Sequence, residues 1–402
     1  MMRDGAPLPT LPIHLALQMS AWSSSTIASA CLNNASARSK KVLEKQRLAG
    51  EVSRLAKSRV EALLKGVGVY QAASYRRDLP EAPAVWRRGT ARLLDYSAAA
   101  RADNGTAARP CPPVPILFIP SLINRYYVLD LQPKRSLLRF LAQAGAMPLV
   151  IDWDAPGPLE RGYACADYVT DHLAAALRFV RETTGQPPVL AGYCMGGILA
   201  LALAALFPHQ ARGLALFATP WDFHSADMRA PRLNPAALAR ARQWLSEMDS
   251  LPAAQVQALF SLMDPWLFQE KFQRLSTLTP GSAAFESFMA LERWVNDGVP
   301  LAKRVAEDCL IRFGQENLLA RGQWKVDGQR IIPQRIRMPV FVAAPRKDNV
   351  VPPGCALPLH RLLPHSALCE PSGGHVGMIV GRKARAELWQ PFARWLSLQR
   401  SI

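Results

Sequence analysis

Gly192-Tyr193-Cys194-Met195-Gly196-Gly197 is the stretch of sequence that decides the fold. The apolar run at 188–193 leads into it and predicts a buried strand, and the apolar run at 195–207 predicts a helix. A side chain on a tight turn between strand and helix needs small neighbours, because larger ones would clash with both elements. The pattern therefore predicts a nucleophile elbow with Cys194 at its tip.

The same position favours cysteine chemistry. The dipole and the free N–H groups of a helix N-terminus stabilise a thiolate, so the helix that follows Cys194 would activate its thiol. The backbone N–H of Met195 would then point towards a developing oxyanion. The alternative is that Cys194 is a small buried hydrophobic residue, as free cysteines often are and as most of the other cysteines here are expected to be.

Strands and helices alternate around the elbow, and they indicate parallel βαβ units. The predicted strands span residues 115–120, 147–153, 188–193, 213–219, 338–344 and 366–369. The predicted helices span residues 136–144, 166–184 and 195–207. Residues 225–332 carry helical patterns, many large aromatic side chains and no convincing strand. We expect an α/β-hydrolase fold, with a mostly parallel central sheet, helices on both faces and a helical cap insertion.

This prediction divides the chain into four parts. Residues 1–70 form an N-terminal leader and an amphipathic helical segment, 71–224 the first part of the core, 225–335 the mostly helical cap and 336–402 the second part of the core. The leader is read as flexible or amphipathic and not as a signal peptide, since prolines and polar residues interrupt its apolar stretch. The apolar stripe of 38–67 is expected to pack on its own domain, with a membrane or a partner as the alternative.

A nucleophilic thiol benefits from a base, and the base benefits from an orienting acid. In α/β-hydrolases these follow in the order nucleophile, acid, histidine. Asp348 lies in a loop after the strand at 338–344, and His375 lies in a glycine-flanked loop 27 residues later. We expect these two residues to be the acid and the base. Asp222 is the rival acid, and Asp348 could instead cap a turn. The other histidines open to the role of base are His224, His360 and His365.

Composition restricts the partners. The 402 residues carry a net charge of +17, which favours an anionic partner such as a phosphorylated substrate or a granule surface, or simply a solvated surface. Nucleic acid is disfavoured because no zinc-finger spacing or aromatic-basic motif is present. Seven scattered cysteines without a C-x-x-C pair argue against disulfides and zinc and fit the cytoplasm. We expect no transmembrane segment, no metal and no bound cofactor.

Several separated motifs together resemble the polyhydroxyalkanoate synthases. They are the box at 192–197, the segments 122–131, 219–223 and 317–319, the run 326–328, and the neighbourhoods of Asp348 and His375. The similarity spans roughly 70–396, in the family's order. Asn349 departs from the histidine that commonly follows the aspartate in that family. The chain is closer in length to catalytic subunits that need a second subunit than to the long single-subunit synthases.

The resemblance implies an acyltransferase that polymerises (R)-3-hydroxyacyl-CoA thioesters through an acyl group on Cys194 and releases CoA. It implies an oxyanion hole made by the backbone N–H of Met195 and an amide near Leu122. The expected partners are the growing polyester chain or granule surface and a second synthase subunit or a homodimer, in the cytoplasm or at the granule surface. One alternative is a hydrolase of the same fold, a thioesterase or a polyester depolymerase. Another is a non-catalytic granule-associated protein.

Overall fold

The computed structural model describes residues 40–100, 112–263 and 265–399. Its main sheet has eight strands among these residues. They are β1 (Ala84–Arg88), β2 (Ala91–Asp95), β3 (Val114–Ile119), β4 (Ala146–Asp152), β5 (Val189–Tyr193), β6 (Gly213–Phe217), β7 (Val340–Ala343) and β8 (Ser366–Cys369). Strands β3, β5, β6 and β7 are buried along their whole length, as apolar runs covered on both faces should be.

The strand order in the sheet is β1-β2-β4-β3-β5-β6-β7-β8. All neighbours from β4 to β8 pair in parallel, whereas β2 pairs antiparallel with both β1 and β4. The predicted fold class, with its mostly parallel sheet, is confirmed. Because parallel strands end at one edge, the loops after β3, β5, β6 and β7 lie close together there.

The helices are given in chain order. They are α1 (Lys40–Ala72), α2 (Leu137–Gln143), α3 (Ala174–Thr184), α4 (Met195–Leu206), α5 (Pro235–Ser246), α6 (Ala253–Met263), α7 (Pro265–Leu275), α8 (Ala283–Asn296), α9 (Lys303–Glu307), α10 (Pro353–Leu362), α11 (Gly377–Val380) and α12 (Gln390–Leu398). A short helical turn, Cys165–Asp167, and π-helical turns at Tyr168–Leu173, Asp308–Phe313 and Arg385–Trp389 also occur. Helix α4 packs against β5 and β6 and so fixes the turn that carries Cys194.

The sequence missed the antiparallel strands β1, which lies at the edge of the sheet, and β2, which lies beside it. Strand β1 is mostly exposed, so it lacks the apolar run or the alternation by which a strand is recognised. The expectation of no strand within 225–332 was also wrong in detail. Two-residue strands pair there, Ser250–Leu251 with Leu301–Ala302 and Lys325–Val326 with Gln329–Arg330. Strands this short carry no periodicity that a sequence could show.

The chain divides into two compact units. One contains, of the described residues, 40–76 and Gln257–Asn296, and the other contains Arg77–Val256 and 297–399. Helices α1, α7 and α8 share an apolar core in the first unit, formed by Leu63, Val67, Tyr70, Phe268, Phe272, Leu275, Phe285 and Met289. A Cβ on Gly66 would lie 1.9 Å from the carbonyl oxygen of Phe272, so only glycine lets α1 approach α7 this closely.

The apolar stripe of α1 is only partly packed on its own unit. Leu63 and Val67 are buried, but Leu48, Val52, Leu55 and Leu64 are exposed. The expected packing therefore holds for Leu63 and Val67 and is wrong for the four exposed residues. The leader before residue 40 lies outside the described residues. The four-part division of the chain stays a prediction.

No helix among the described residues combines the length and the hydrophobicity that crossing a membrane requires.

Candidate active site

Cys194 occupies the turn between β5 and α4. Its backbone has φ 56° and ψ −127°, a conformation that residues other than glycine rarely adopt. The N–H of Cys194 donates a hydrogen bond of 2.8 Å to the carbonyl of Phe217 in β6, which holds this conformation in place. The side chain is only partly buried, so the thiol remains reachable at the carboxyl edge of the sheet.

The three glycines of the box are required by close contacts. A Cβ on Gly192 would lie 2.4 Å from the Cα of Gly197, and a Cβ on Gly197 would lie 1.9 Å from Oγ1 of Thr219. A Cβ on Gly196 would lie 2.0 Å from the carbonyl oxygen of Ile119, at the end of β3. The elbow therefore forms only where the sequence supplies glycine at all three positions.

Asp348 and His375 meet Cys194 at this edge. Nδ1 of His375 lies 2.7 Å from Oδ2 of Asp348, and the other carboxylate oxygen accepts hydrogen bonds of 2.8 Å from the N–H groups of Val350 and Val351. Cys194 is among the groups that raise the pKa of His375, so its thiol lies within interaction distance of the imidazole. The structure thus brings all three predicted residues together, in the order thiol, imidazole and carboxylate.

The environment of His375 favours its protonated form. Burial opposes the charge, but the negative charges of Cys194 and Asp348 and their hydrogen bonds outweigh it and raise the pKa of His375 to about 10. A histidine placed between a thiol and a carboxylate is the arrangement by which a base can activate a cysteine. The carboxylate of Asp348, which is buried, fixes which ring nitrogen faces the sulfur.

Tyr193 makes two contacts with His375. Its hydroxyl donates a hydrogen bond of 3.2 Å to the carbonyl of His375, and the two rings lie 5.3 Å apart at 31°. Burial, followed by the charges of Cys194 and Asp348, raises the pKa of Tyr193 well above its usual value, so the phenol keeps its proton. The sequence gives no sign of this contact, because it joins residues 182 positions apart.

The segment after β3 approaches the elbow closely, as an oxyanion hole requires. The near contact between Gly196 and Ile119 places the start of α4 beside the residues that lead to Leu122. Nε1 of Trp153 donates a hydrogen bond of 3.0 Å to the carbonyl of Pro120 and braces this segment. As the first residue of a helix, Met195 has an N–H without an acceptor in its own helix. The roles of Met195 and Leu122 stay predictions.

The rival acid Asp222 has other partners. Its Oδ1 accepts hydrogen bonds from Nδ2 of Asn317 at 2.8 Å and from the N–H of His224 at 2.9 Å. Asn317 is buried, adopts φ 54° and also accepts a hydrogen bond from the N–H of Phe223. Asp222 and Asn317 therefore fix the loop after β6, and the contacts to His375 are made by Asp348.

The remaining candidates also have structural contacts. Nε2 of His224 lies 3.0 Å from the carbonyl of Gln315, and Nδ1 of His360 lies 2.8 Å from Oγ of Ser366. Two further aspartates, which are not candidates for the site, also have side-chain partners. Asp130 is fully buried, and Arg77, Arg139 and Tyr96 bond to its carboxylate. Asp152 bonds to Arg92.

Other cysteines differ from Cys194 in their surroundings. Burial raises the pKa of Cys355 to about 12 and that of Cys369 to about 11. These thiols are neutral at physiological pH and fit the role of small buried side chains. In the part of the chain that the structure describes, no group of three or more His, Cys, Asp or Glu side chains is arranged to hold a metal ion. The expectation of no cofactor stays a prediction.

Two family models match the chain. One, described as the alpha/beta hydrolase fold, matches residues 114–381, and the other, described as the N-terminus of poly-beta-hydroxybutyrate polymerase (PhaC), matches residues 85–141. Among solved structures, a monoacylglycerol lipase from Paleococcus ferrophilus is 16% identical, with a TM-score of 0.48, over 72% of this chain and 96% of that one.

Several curated relatives carry the name poly(3-hydroxyalkanoate) polymerase subunit PhaC. The protein from Haloferax mediterranei is 30% identical over 78% of this chain, and the protein from Haloarcula marismortui is 29% identical over 89% of it. The chain spans 63% of the first relative's length and 74% of the second's. These relatives confirm the resemblance that the separated motifs indicated. The chain belongs to the α/β-hydrolase fold family, and the relatives it resembles within that family are named poly(3-hydroxyalkanoate) polymerase subunits.

Proposed function

We propose that the chain is an acyltransferase of the polyhydroxyalkanoate synthase type, acting on (R)-3-hydroxyacyl-CoA thioesters through a covalent acyl group on Cys194. The observation that carries the proposal is the contact of His375 with both Cys194 and Asp348 at the carboxyl edge of the sheet. The polymerase names of the relatives support the choice of substrate.

The first half of the reaction forms the acyl-enzyme. The thiolate of Cys194, paired with protonated His375, attacks the thioester carbonyl, and the N–H groups of Met195 and Leu122 stabilise the oxyanion. The carbon–sulfur bond to CoA then breaks, and the departing sulfur takes the proton from His375. CoA leaves as a thiol, and the acyl group stays on Cys194.

The second half transfers the acyl group to a hydroxyl. Neutral His375 accepts the proton of the 3-hydroxyl of another acyl unit, whose oxygen attacks the acyl-cysteine carbonyl. An ester bond forms, the thiolate of Cys194 leaves, and the imidazolium–thiolate pair is restored. Asp348 orients the imidazole and stabilises its charge in both halves. The chemistry uses only residues of the chain and the substrate, so we propose no resident cofactor.

The product of such a reaction is an apolar polyester, so we propose that the protein works in the cytoplasm at the surface of the growing polymer. The relatives are named as subunits, which supports a second subunit or a homodimer as partner.

The test is incubation of the purified protein with (R)-3-hydroxybutyryl-CoA, with thiol release followed and the acyl product identified. Cys194→Ala removes the proposed nucleophile, and Cys369→Ala is the matched control at a cysteine on β8. We expect polymer from the wild type and the control and none from Cys194→Ala. Free 3-hydroxybutyrate as the product would instead identify a hydrolase. Absence of thiol release, both alone and with extract of the native host, would support a non-catalytic protein.

A further inference from the structure

One side of Cys194 lies against a closed apolar cluster, which we call the acyl wall. Its buried members are Ala344, Val351, Cys355 and Ala356, and the partly buried side chains packed on them include Met228, Val350, Leu357 and Cys194 itself. None of the four buried members is more than 3% exposed. The nucleophile therefore faces solvent on one side and tightly packed small side chains on another.

Backbone hydrogen bonds hold the acyl wall in place. The carbonyl of Cys355 accepts hydrogen bonds of 3.2 Å and 3.0 Å from the N–H groups of Trp221 and Asp222, in the loop after β6. Val351 is anchored through its N–H to the carboxylate of Asp348. The acyl wall is thus tied to the acid of the site and cannot retreat to admit a larger group without disturbing it.

The segment that carries Met228 is tied to the same helix. The N–H of Gly354 donates a hydrogen bond of 2.8 Å to Oδ2 of Asp227, and a Cβ on Gly354 would lie 2.3 Å from the other oxygen of that carboxylate. Met228 therefore sits at a fixed position over the start of α10. Methionine is the adaptable member of the acyl wall, whereas the alanines and Val351 are rigid.

The chemistry of the acyl wall matches an alkyl substituent. Burial keeps the thiol of Cys355 neutral, with a pKa raised to about 12, so it behaves as a small apolar side chain and not as a second nucleophile. An acyl group on Cys194 must direct its carbonyl oxygen to hydrogen-bond donors and its substituent to an apolar surface. The acyl wall is an apolar surface against which Cys194 packs.

We propose that the acyl wall sets the acyl-chain length that Cys194 accepts, and that Val351 and Cys355 restrict the substituent at C3 to a short alkyl group such as methyl or ethyl. This inference rests on the proposed function, since it concerns the acyl group that the reaction places on Cys194. A hydrophobic pocket discriminates between substrates by the number of methylene groups that it can hold. One methylene group more or less changes kcat/KM by about 10- to 200-fold.

The experiment compares CoA release from (R)-3-hydroxybutyryl-CoA and (R)-3-hydroxyhexanoyl-CoA by the full chain. Val351→Ala and Cys355→Ala enlarge the space beside Cys194, and Met228→Ala does so at a partly buried position where loss of folding is less of a risk. Val189→Ala is the matched control for valine, because Val189 is buried at the opposite end of β5. Cys369→Ala is the matched control for cysteine.

We expect the wild type and both controls to prefer the butyryl thioester, and the acyl-wall variants to raise the hexanoyl-to-butyryl ratio of kcat/KM by about tenfold or more. An unchanged ratio in all three variants, with butyryl release retained, would overturn this inference and leave the proposed function standing. Absence of release from both thioesters in the wild type, both alone and with extract of the native host, would instead refute the proposed function and this inference with it.

Discussion

Cys194 is held in a backbone conformation that side chains seldom adopt, with φ 56° and ψ −127°. Such strain costs about 1–3 kcal/mol and persists only where the surrounding structure enforces it. Here the hydrogen bond from Cys194 to the carbonyl of Phe217 and the contacts of three glycines enforce it. This backbone conformation directs the Cys194 side chain towards His375.

Matched substitutions can distinguish the roles of Asp348 and Asp222, which lie at the same edge of the sheet. Asp348→Asn removes the charge that orients and stabilises protonated His375, and we expect thiol release from the CoA thioester to fall by about 10²- to 10⁴-fold. Asp222→Asn keeps an oxygen that can accept from Asn317, and we expect it to retain most of its activity. Steady-state assays of both variants, with thermal unfolding to verify folding, provide the measurement. Equal losses in the two variants would contradict the assignment.

The raised pKa of His375 predicts a pH-dependent stability. The folded state binds the proton of His375 up to a pH of about 10, whereas in the unfolded chain it is lost near 6.5. Folding is therefore favoured fully by this group below pH 6.5, and that contribution disappears as the pH rises from 6.5 through about 10. We expect the free energy of unfolding to fall less steeply over this range in His375→Gln than in the wild type, as measured by urea denaturation. Parallel curves would disprove the shift.

At the scale of single residues, the sequence predicted the three residues that meet at the candidate site but not the contacts that hold them in place. Cys194, Asp348 and His375 could be found because each stands in a recognisable turn after a strand. The sequence left both Asp222 and Asp348 as candidates for the acid, because each follows one of two adjacent parallel strands that end at the same edge of the sheet. Asn317, which engages Asp222, lies 95 residues further along the chain, and only the folded structure shows that contact.

At the scale of elements, the elbow depends on how closely α4 approaches β3. The four strands β3, β5, β6 and β7 are apolar throughout, which is why the sequence located them to within two residues. The edge strand β1 escaped prediction because it is mostly exposed and carries arginines. Its neighbour β2 is largely buried but has only five residues. A strand that is buried on both faces has a continuous apolar run that can be recognised in the sequence, whereas an exposed edge strand does not.

Gly196→Ala tests the approach of α4 to β3. The Cβ of this alanine would lie 2.0 Å from the carbonyl oxygen of Ile119, so the backbone must shift. We expect the free energy of unfolding to fall by about 1–3 kcal/mol and the release of CoA thiol to be lost. Gly68→Ala in α1 is the matched control, since nothing lies within 4 Å of its Cβ position. There we expect a gain of about 0.5–1 kcal/mol, because alanine favours a helix interior. The measurements are urea denaturation and the thiol assay, and a Gly196→Ala variant of wild-type activity would be inconsistent with the close contact.

At the scale of the whole molecule, the excess of basic residues is the dominant electrostatic feature. The net charge of +17 creates a positive field that attracts anions from solution, and the proposed substrate carries the phosphates of CoA. Lysine and arginine are spread along the chain, so the sequence showed the charge but not a particular binding site.

This field predicts a salt dependence that follows the CoA moiety. We expect kcat/KM for (R)-3-hydroxybutyryl-CoA to fall severalfold as salt rises from about 50 to about 300 mM, since screening shortens the reach of the field. The N-acetylcysteamine thioester of the same acid lacks phosphates, and its kcat/KM should change little. Equal salt dependence of the two substrates would rule out attraction of the phosphates.

The most direct measurement of the central claim is the mass of the protein after a brief reaction with (R)-3-hydroxybutyryl-CoA, quenched in acid, with the modified peptide sequenced. We predict one or more 3-hydroxybutyryl units attached to Cys194 in the wild type and no adduct in Cys194→Ala. Release of CoA without an adduct, or an adduct at another residue that persists in Cys194→Ala, would contradict a covalent role for Cys194.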